Sequence, residues 1–258
     1  MYGTPVHRHL HLMHMSYSIV ICNQKGGVGK TTTAVNISAS LSLNHKTLLA
    51  DLDLQANAGS SVGIPPQPFA RSVFNPNLEK SDIKATDIGS LHVAPSTFDK
   101  NLSAIDHRNI SENLQDLSSD YSFLVIDSPP SLEQGTLSGI FLADLAVIPV
   151  QCQYLSLEGV TQIVTMIRSL KPEGLDVKIL PTMLNVQNQL EVEVFDEVCE
   201  YFKEDVLLPG IPFDTVLAEA PSHGKCIIDY DVSTPGSIAY LSVTQEVIAN
   251  GKKIRPWS

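Results

Sequence analysis

The hydrophobic positions of this chain fall into short uninterrupted runs, separated by stretches with helical spacing. Uninterrupted runs are expected for strands covered on both faces of a sheet, and they predict strands at 18–23, 47–51, 91–95, 122–127, 144–150 and 177–184. Residues 30–44 predict a helix, and apolar residues recur at helical spacing from Leu157 to Leu170. This alternation predicts an α/β fold, a doubly wound, mostly parallel sheet flanked by helices.

The remaining segments define the domain organisation. Residues 60–90 are rich in proline and asparagine and are predicted to form a loop. Residues 1–15 contain four histidines but no continuous apolar stretch, so we expect a disordered leader or tag-like extension rather than a metal site. With 258 residues and 43% hydrophobic content, the chain can bury a large core, and residues 16–258 are predicted to form one domain.

Hydropathy and cysteine spacing exclude several classes of protein. No apolar run approaches the roughly 18–20 residues that span a bilayer, so we expect a cytoplasmic protein that does not enter the membrane. The cysteines are far apart and show no C-x-x-C spacing, which predicts reduced thiols rather than metal ligands or disulfides. Their positions are Cys22, Cys152, Cys199 and Cys226.

The stretch NQKGGVGKTTT, residues 23–33, nearly matches the phosphate-binding pattern G-x-x-x-x-G-K-[ST]. It departs from the pattern at Gln24, where glycine is expected, and it carries a second lysine, Lys25. The stretch follows a predicted strand and precedes a predicted helix, which is the context that a phosphate-binding loop requires.

Each residue type in this loop suits a bound nucleotide. Glycines let backbone N–H groups converge on phosphate oxygens, and the following helix adds its positive end. Lys30 is expected to reach the β- and γ-phosphates, Thr31 to place its hydroxyl on Mg²⁺, and Thr32 to contact the α-phosphate. The predicted nucleotide-binding residues of the loop are Gly26, Gly27, Val28, Gly29, Lys30, Thr31 and Thr32.

Two further motifs supply carboxylates at strand ends. In DLDLQAN, residues 51–57, Asp51 and Asp53 are two positions apart at the end of a predicted strand, so their side chains are expected to point to the same side of the sheet. Such a pair suits one bound ion and one water. In FLVIDSPPS, residues 123–131, Asp127 ends an apolar strand, as in a Walker B motif that holds Mg²⁺. Thr31 and Asp127 are therefore the predicted metal-site residues of these motifs.

These three motifs together resemble the ParA/MinD family of deviant-Walker ATPases, most closely its ParA/Soj branch. The resemblance continues through QCQYLSLEGVTQI (151–163), TMLN (182–185) and EAPSHGK (219–225), and so covers nearly the whole chain after Met15. It implies that residues 16–258 form a single ParA-like P-loop ATPase domain of the deviant Walker A type, with ATP and Mg²⁺ as cofactors.

The family resemblance also implies roles for individual residues. Lys25 would reach across a dimer interface to the ATP of the other subunit, and Asp53 would orient the attacking water. Lys25, Lys30 and Asp53 are thus the expected catalytic residues, with Asp51 near Mg²⁺. The resemblance implies an ATP-dependent homodimer that hydrolyses ATP slowly until a ParB-like partner stimulates it.

The base-binding region departs from the family pattern. Relatives often read I-P-R-N-V-R where this chain has IPFDTV, residues 211–216, so that Phe213 and Val216 stand in place of two arginines. Pro212 is retained, and Asp214 can accept from the adenine amino group. The expected adenine contacts are Pro212, Asp214 and Asn185. Leu54 replaces another family proline, but both carboxylates of that motif remain.

Charge leaves two functions open. Soj-like proteins bind DNA without sequence preference through basic residues of their C-terminal half. Here residues 185–250 contain only Lys203 and Lys225 against twelve acidic residues, a net charge of −10, which should repel DNA. The family favours a partitioning ATPase that segregates DNA, associated with the nucleoid. The charge favours a regulatory or scaffolding switch that positions a protein cargo.

Two other chemistries are compatible with the phosphate-binding loop taken alone. Iron–sulfur reduction requires cysteine ligands at a dimer axis, and Cys152 lacks a suitable second cysteine. The loop alone does not exclude an ATP-dependent ligase, but the C-terminal motifs disfavour one. The tail VIANGKKIRPWS is predicted not to form a membrane-binding helix, because Gly251 and Pro256 should interrupt it.

Overall fold

A seven-stranded sheet forms the centre of the computed structural model, which describes residues 16–99, 106–131, 134–152, 157–171 and 173–254. The leader predicted for residues 1–15 lies outside these ranges. The sheet has the order β3-β4-β2-β5-β1-β6-β7, and every pairing is parallel except that of β3 with β4. The predicted doubly wound, mostly parallel α/β fold is therefore confirmed. In chain order the strands are β1 Tyr17–Ile21, β2 Thr47–Asp51, β3 Lys84–Ala85, β4 Leu91–Ala94, β5 Phe123–Asp127, β6 Leu145–Gln151 and β7 Asp176–Thr182.

All six predicted strands are present, with ends that shift by one or two residues. The prediction of a loop over residues 60–90 is wrong in part. This segment contains β3, which pairs antiparallel at the edge of the sheet, and short 3-10 turns at Phe69–Arg71 and Lys80–Asp82. A two-residue edge strand has too few positions to produce a recognisable hydrophobic pattern.

Helices cover both faces of the sheet. In chain order they are α1 Lys30–Ser42, α2 Asn57–Ser60, α3 His107–Leu117, α4 Gln134–Leu142, α5 Leu157–Leu170, α6 Gln189–Phe202, α7 Val216–Glu219, α8 Ile227–Tyr230 and α9 Pro235–Ile254. One hydrophobic cluster joins the sheet to α1, α8 and α9, and the other joins it to α3, α4, α5 and α6.

Strand β1 shows how the two clusters are separated. Ile19 and Ile21 belong to the cluster under α1, whereas Val20 belongs to the cluster on the opposite face, as the alternation of side chains along a strand requires. All three side chains are fully buried. The uninterrupted apolar run that predicted this strand is therefore the consequence of helices packing on both faces.

Helix α9 continues through Gly251 to Ile254, so the prediction that Gly251 would interrupt this helix is wrong. Gly251 is buried there, and an isolated glycine costs a helix only about 1 kcal/mol relative to alanine, which packing can offset. In the described part of the chain, no helix combines the length and the apolar character needed to cross a membrane.

Candidate nucleotide-binding site

The loop between β1 and α1 lies at the carboxyl end of the sheet and is shaped by two glycines. Gly27 and Gly29 have φ angles of +74° and +90°, in the left-handed region where a side chain is strained. Gln24 is not among the described residues with positive φ, so the loop loses nothing by having glutamine there. Gly29 immediately precedes α1, so the N-terminus of this helix faces the loop.

Lys30 is held inside this loop. Its side chain is buried, and Nζ donates to the backbone oxygen of Lys25 across 3.0 Å. Burial lowers the pKa of the Lys30 ammonium, while the charges of Asp127 and Asp53 oppose that shift. The lysine is therefore fixed at the centre of the loop, close to two carboxylates from neighbouring strand ends.

Thr31 and Asp127 meet directly. Thr31 Oγ1 donates to Asp127 Oδ2 across 2.8 Å, which connects the first turn of α1 to the end of β5. Asp127 is fully buried, and its second oxygen, Oδ1, has no hydrogen-bond partner within the described residues. Burial, followed by the nearby charge of Asp51, raises the pKa of Asp127 well above its ordinary value.

Asp51 stands opposite Asp127 in the register of the adjacent strands β2 and β5. It is fully buried; Oδ2 accepts from the amide of Gly59 and Oδ1 from the amide of Asp53. Burial raises the pKa of Asp51 to about 7. Strand β2 ends at Asp51, so Asp53 lies in the turn that follows the strand. The position of the Asp53 side chain is therefore set by the turn, whereas the sequence prediction assumed the alternation of side chains along a strand.

The carboxyl end of the sheet suits a bound divalent cation. An unpartnered, buried carboxylate oxygen next to a threonine hydroxyl is an arrangement of hard oxygen ligands that Mg²⁺ prefers. Among the described residues, no three carboxylate, imidazole or thiol groups converge as a complete metal site. Magnesium at this position would therefore take ligands from Thr31 and Asp127 together with phosphate oxygens and water.

Lys25 is exposed at the outer side of the loop. Its amide donates to Asn23 Oδ1 across 3.0 Å, and Asn23 Nδ2 donates to the backbone oxygen of Pro149 across 2.8 Å. Asn23 thereby fixes the entry to the loop against β6. This role of Asn23 was not predicted from the sequence. The signal that could have indicated it is the position of Asn23 as a polar residue directly after an apolar run.

A cavity of about 210 Å³ begins beside Gly29 and Thr32 and extends away from the phosphate loop. Pro212, one of the predicted adenine contacts, lines it. Thr182, Met183, Phe213, Leu217 and Tyr240 also line it and were not predicted. Met183 has a φ angle of +55°, an uncommon value for a residue with a side chain, which places this residue at the turn after β7.

The other two predicted base contacts differ in their positions. Asp214 lines the cavity, but Oδ1 accepts from the amide of Val216 and Oδ2 from the amide of Gly236, each across 3.0 Å. It therefore joins α7 to the start of α9. Asn185 is exposed and does not line the cavity; its Oδ1 accepts from the amide of Gln187. Asparagine is common in such turns, and this local bond was not distinguishable by sequence from a base contact.

The sheet, the glycine-rich loop and the strand-end aspartates define a P-loop nucleotide-binding fold. A family profile described as an AAA domain matches residues 16–179, more than half of the chain. The chain is 38% identical over 253 residues to the sporulation initiation inhibitor protein Soj of Bacillus subtilis, with 92% of this chain and 100% of that protein covered. It is also 38% identical over 247 residues to the chromosome partitioning protein ParA of Myxococcus xanthus, covering 89% and 87% of the two chains.

Solved structures show the same fold. One is described as cobyrinic acid a,c-diamide synthase from Mycobacterium smegmatis with bound ATP analogue and magnesium. It is 28% identical, covers 93% of this chain and 97% of its own, and superposes with a TM-score of 0.76. The relatives and the fold lead to one conclusion: this chain belongs to the ParA/MinD family of P-loop ATPases, and its similarity is to the ParA/Soj branch.

Proposed function

We propose that this protein is a ParA-like ATPase that binds ATP with Mg²⁺, dimerises with nucleotide bound, and hydrolyses ATP to position DNA. The observation that carries the proposal is the convergence of Lys30, Thr31, Asp53 and Asp127 at adjacent strand ends, next to a loop with an additional lysine. The chromosome partitioning protein ParA of Myxococcus xanthus, to which this chain is similar, supports the same function. The proposed ATPase domain covers residues 16–258, and the proposed location is the cytoplasm.

The phosphate-binding residues are Gly26 to Thr32. Backbone amides of the loop and the N-terminus of α1 would hold the phosphates, and the Lys30 ammonium would neutralise them. When bound, Mg²⁺ neutralises phosphate charge and polarises the bond that breaks. Thr31 and Asp127 would hold this ion, and the unpartnered Asp127 oxygen supports their assignment. Asp51 would act on it from the adjacent strand.

Asp53 is proposed to orient the attacking water. It is only half-buried, its charge is close enough to affect Lys30, and its Oδ1 accepts from the amide of Gln55, which fixes the carboxylate in its turn. Phosphoryl transfer needs positioning and charge stabilisation more than a covalent nucleophile, so a well-held carboxylate suffices.

Adenine is proposed to occupy the cavity lined by Pro212, Met183 and Phe213. These side chains offer apolar surfaces to a flat ring, and the cavity begins beside the loop that holds the phosphates. Asp214 retains lone pairs for the adenine amino group, but its bonds to α7 and α9 give it a positioning role as well. Asn185 is the weakest of the proposed contacts because it does not line the cavity.

Lys25 is proposed to bind the nucleotide of the second subunit. Its side chain is exposed, and its backbone is held by Asn23 and Lys30, so a stable loop presents this lysine at the surface. A cation supplied in trans would couple dimer formation to the charge of the γ-phosphate. A ParB-like protein is the proposed activator of hydrolysis.

A second candidate function is supported by surface charge. Of the twelve acidic residues between 185 and 250, nine are exposed, and only Lys203 and Lys225 oppose them. Phe213 is 65% exposed at a position where relatives often carry an arginine. This surface favours a switch that positions a protein cargo and does not bind DNA. An amidating ligase, as in the name of the Mycobacterium protein, has no comparable support from this chain.

DNA binding by the Asp53→Ala protein separates these functions. This variant should bind ATP and remain dimeric, so it should show the strongest DNA affinity that the protein has. Binding to a random duplex with ATP and Mg²⁺, weakening steeply between 50 and 200 mM salt on the order expected for several phosphate contacts, would support DNA partitioning. A dimer, verified by sizing, that does not bind DNA would support the protein-cargo switch.

A further inference from the structure

The motif EAPSHGK, residues 219–225, is part of the family resemblance but supplies no residue to the nucleotide chemistry proposed above. It starts at the last residue of α7, forms a 3-10 turn over Ala220–His223, and ends that turn with Gly224 in the left-handed conformation, at a φ angle of +66°. Cys226 and Ile227 then lead into α8. We call residues 219–227 the connecting segment, because it contacts three separate parts of the nucleotide site.

The first contact is with the cavity proposed for adenine. Leu217 and Ala218 of α7 line this cavity, and the connecting segment follows them directly. The segment folds back on itself, since the amide of Lys225 donates to the backbone oxygen of Ala220 across 3.2 Å. A base that fills the cavity would therefore touch the two residues from which the segment continues.

The second contact is with the helix that follows the phosphate loop. Asn36 of α1 is buried, and its Nδ2 donates to the backbone oxygen of Thr32 across 2.8 Å. Its Oδ1 accepts from the amide of Ile227 across 2.9 Å. One side chain thus joins the end of the connecting segment to Thr32, a residue proposed to bind phosphate.

The third contact is between two glycines. Gly63 follows α2, in the turn that begins with the two aspartates of β2, and has a φ angle of +79°. A Cβ atom added to Gly224 would lie 3.3 Å from Gly63 Cα and 3.4 Å from Gly63 N. The two backbones therefore lie against each other, at a separation that leaves no free space for a side chain on Gly224.

A short series of hydrogen bonds connects Gly63 to the carboxylates. The amide of the next residue, Ile64, donates to the backbone oxygen of Gly59 across 2.9 Å, and the amide of Gly59 donates to Asp51 Oδ2 across 3.0 Å. A Cβ atom on Gly59 would lie 2.9 Å from Ile64 O, so this part of the turn is tightly packed. Asp51 Oδ1 accepts from the amide of Asp53. A displacement of Gly63 would consequently reach both aspartates.

We propose that the connecting segment positions the Asp51–Asp53 turn for hydrolysis, and that a base bound in the cavity fixes the segment through α7. Gly224 and Asn36 act through other residues and are positioning residues. Binding free energy from the base, a part of the substrate remote from the reacting phosphate, is then used to place the carboxylates. The substrate class of the site is therefore a triphosphate that carries a base, and the inference rests on the proposed function in assigning the attacking water to Asp53.

Gly224→Ala tests the contact between the two glycines. The added methyl group forces Gly63 to move by a few tenths of an ångström. The variant should lose at least about tenfold in kcat for ATP, because small displacements of catalytic groups are costly. Its affinity for a fluorescent ATP analogue should stay within about twofold of wild type, since the contacts to the phosphates are retained.

Gly174→Ala is the matched control. Gly174 has a φ angle of +73°, so alanine brings similar backbone strain, but no atom lies within 4 Å of the added Cβ. This control should hydrolyse ATP at the wild-type rate. Equal kcat values for Gly224→Ala and Gly174→Ala would overturn the proposal.

A substrate without a base tests the link to the cavity. Phosphate release is measured at saturating ATP and at saturating inorganic tripolyphosphate, both with Mg²⁺. Wild type should have a kcat for ATP at least about tenfold above that for tripolyphosphate, and in Gly224→Ala the two values should come within about threefold of each other. Equal kcat values for the two substrates in wild type, or an unchanged ratio in Gly224→Ala, would overturn the proposal, because a general loss of stability lowers both rates alike.

Hydrogen exchange separates this inference from the proposed function, since it needs neither nucleotide nor hydrolysis. Amides of residues 51–64 should exchange at least about threefold faster in Gly224→Ala than in Gly174→Ala, while amides of α6 exchange equally in both. Unchanged exchange at residues 51–64, in a protein that hydrolyses ATP, would contradict the inference alone. A wild-type protein that neither binds nor hydrolyses ATP would contradict the proposed function, and with it the role of the segment in hydrolysis.

Discussion

Thr31 Oγ1 lies 2.8 Å from Asp127 Oδ2, and this hydrogen bond joins the helix after the phosphate loop to the end of a central strand. The two residues are 96 positions apart in the chain. This contact brings two separate motifs into one site. Removal of the Thr31 hydroxyl should therefore weaken the binding of both the metal ion and the nucleotide.

Thr31→Ala should weaken binding of Mg²⁺-ATP by about tenfold, because one hydroxyl ligand and its hydrogen bond to Asp127 are lost. Binding of ATP in EDTA should change much less. Titration of a fluorescent ATP analogue with and without Mg²⁺ measures both quantities. Thr31→Ser retains the hydroxyl and should restore the magnesium dependence; a serine variant as weak as alanine would contradict the assignment.

Lys30→Ala should reduce ATP affinity by about 100-fold, since a buried cation that donates to phosphate is worth up to about 3 kcal/mol. Calorimetric titration with ATP checks this. Lys225→Ala removes an exposed lysine paired with Asp229 and should leave affinity unchanged. Micromolar ATP binding retained by Lys30→Ala would contradict the placement of the phosphates.

Lys25→Ala should bind ATP with near-normal affinity and yet fail to form the nucleotide-dependent dimer, because the lysine is proposed to act in the other subunit. Analytical ultracentrifugation with a slowly hydrolysed ATP analogue distinguishes monomer from dimer. Lys225→Ala again serves as the control for loss of one exposed positive charge. Normal nucleotide-dependent dimerisation of the Lys25→Ala variant would contradict the proposal that Lys25 binds the nucleotide of the other subunit.

Gly139→Ala should destabilise the fold by about 1–3 kcal/mol through overpacking. A Cβ atom there would lie 2.7 Å from Val20 Cγ2 and 3.3 Å from Ile126 Cγ2, where α4 packs on β1 and β5. Urea unfolding provides the measurement. Gly26→Ala is the control, because no atom lies within 4 Å of its added Cβ. Equal stability of the two variants would show that α4 can shift without cost.

The cysteines should react in an order set by burial. Burial raises the pKa of Cys22 to about 12 and that of Cys152 to about 11, so at pH 8 Cys22 is about one part in ten thousand thiolate. Because only the thiolate reacts, the half-exposed Cys199 should be modified first by a thiol reagent and Cys22 last, with rates rising as pH rises. Peptide mapping after timed alkylation gives the order, and early modification of Cys22 would contradict its burial.

The sequence by itself determined the architecture and the main chemical groups of this protein. Buried parallel strands must be apolar on both faces, so six strands were visible as hydrophobic runs, and the loop motif requires residues that are neighbours in the chain. Both features depend on residues that are close together in the chain, so they can be recognised from short stretches of sequence. The two-residue strand β3 had no such signal, because its position depends on pairing with β4.

Only the tertiary structure decided which of these groups meet and what each already contacts. Asp214 and Asn185 looked equivalent as base contacts, but one lines the cavity and the other is bonded within its own turn. Helix α9 passes through Gly251 because packing outweighs the weak helix propensity of glycine. The contact of Met166 with Gln24 spans 142 residues and follows from the packing of α5 beside the loop, which no local pattern records.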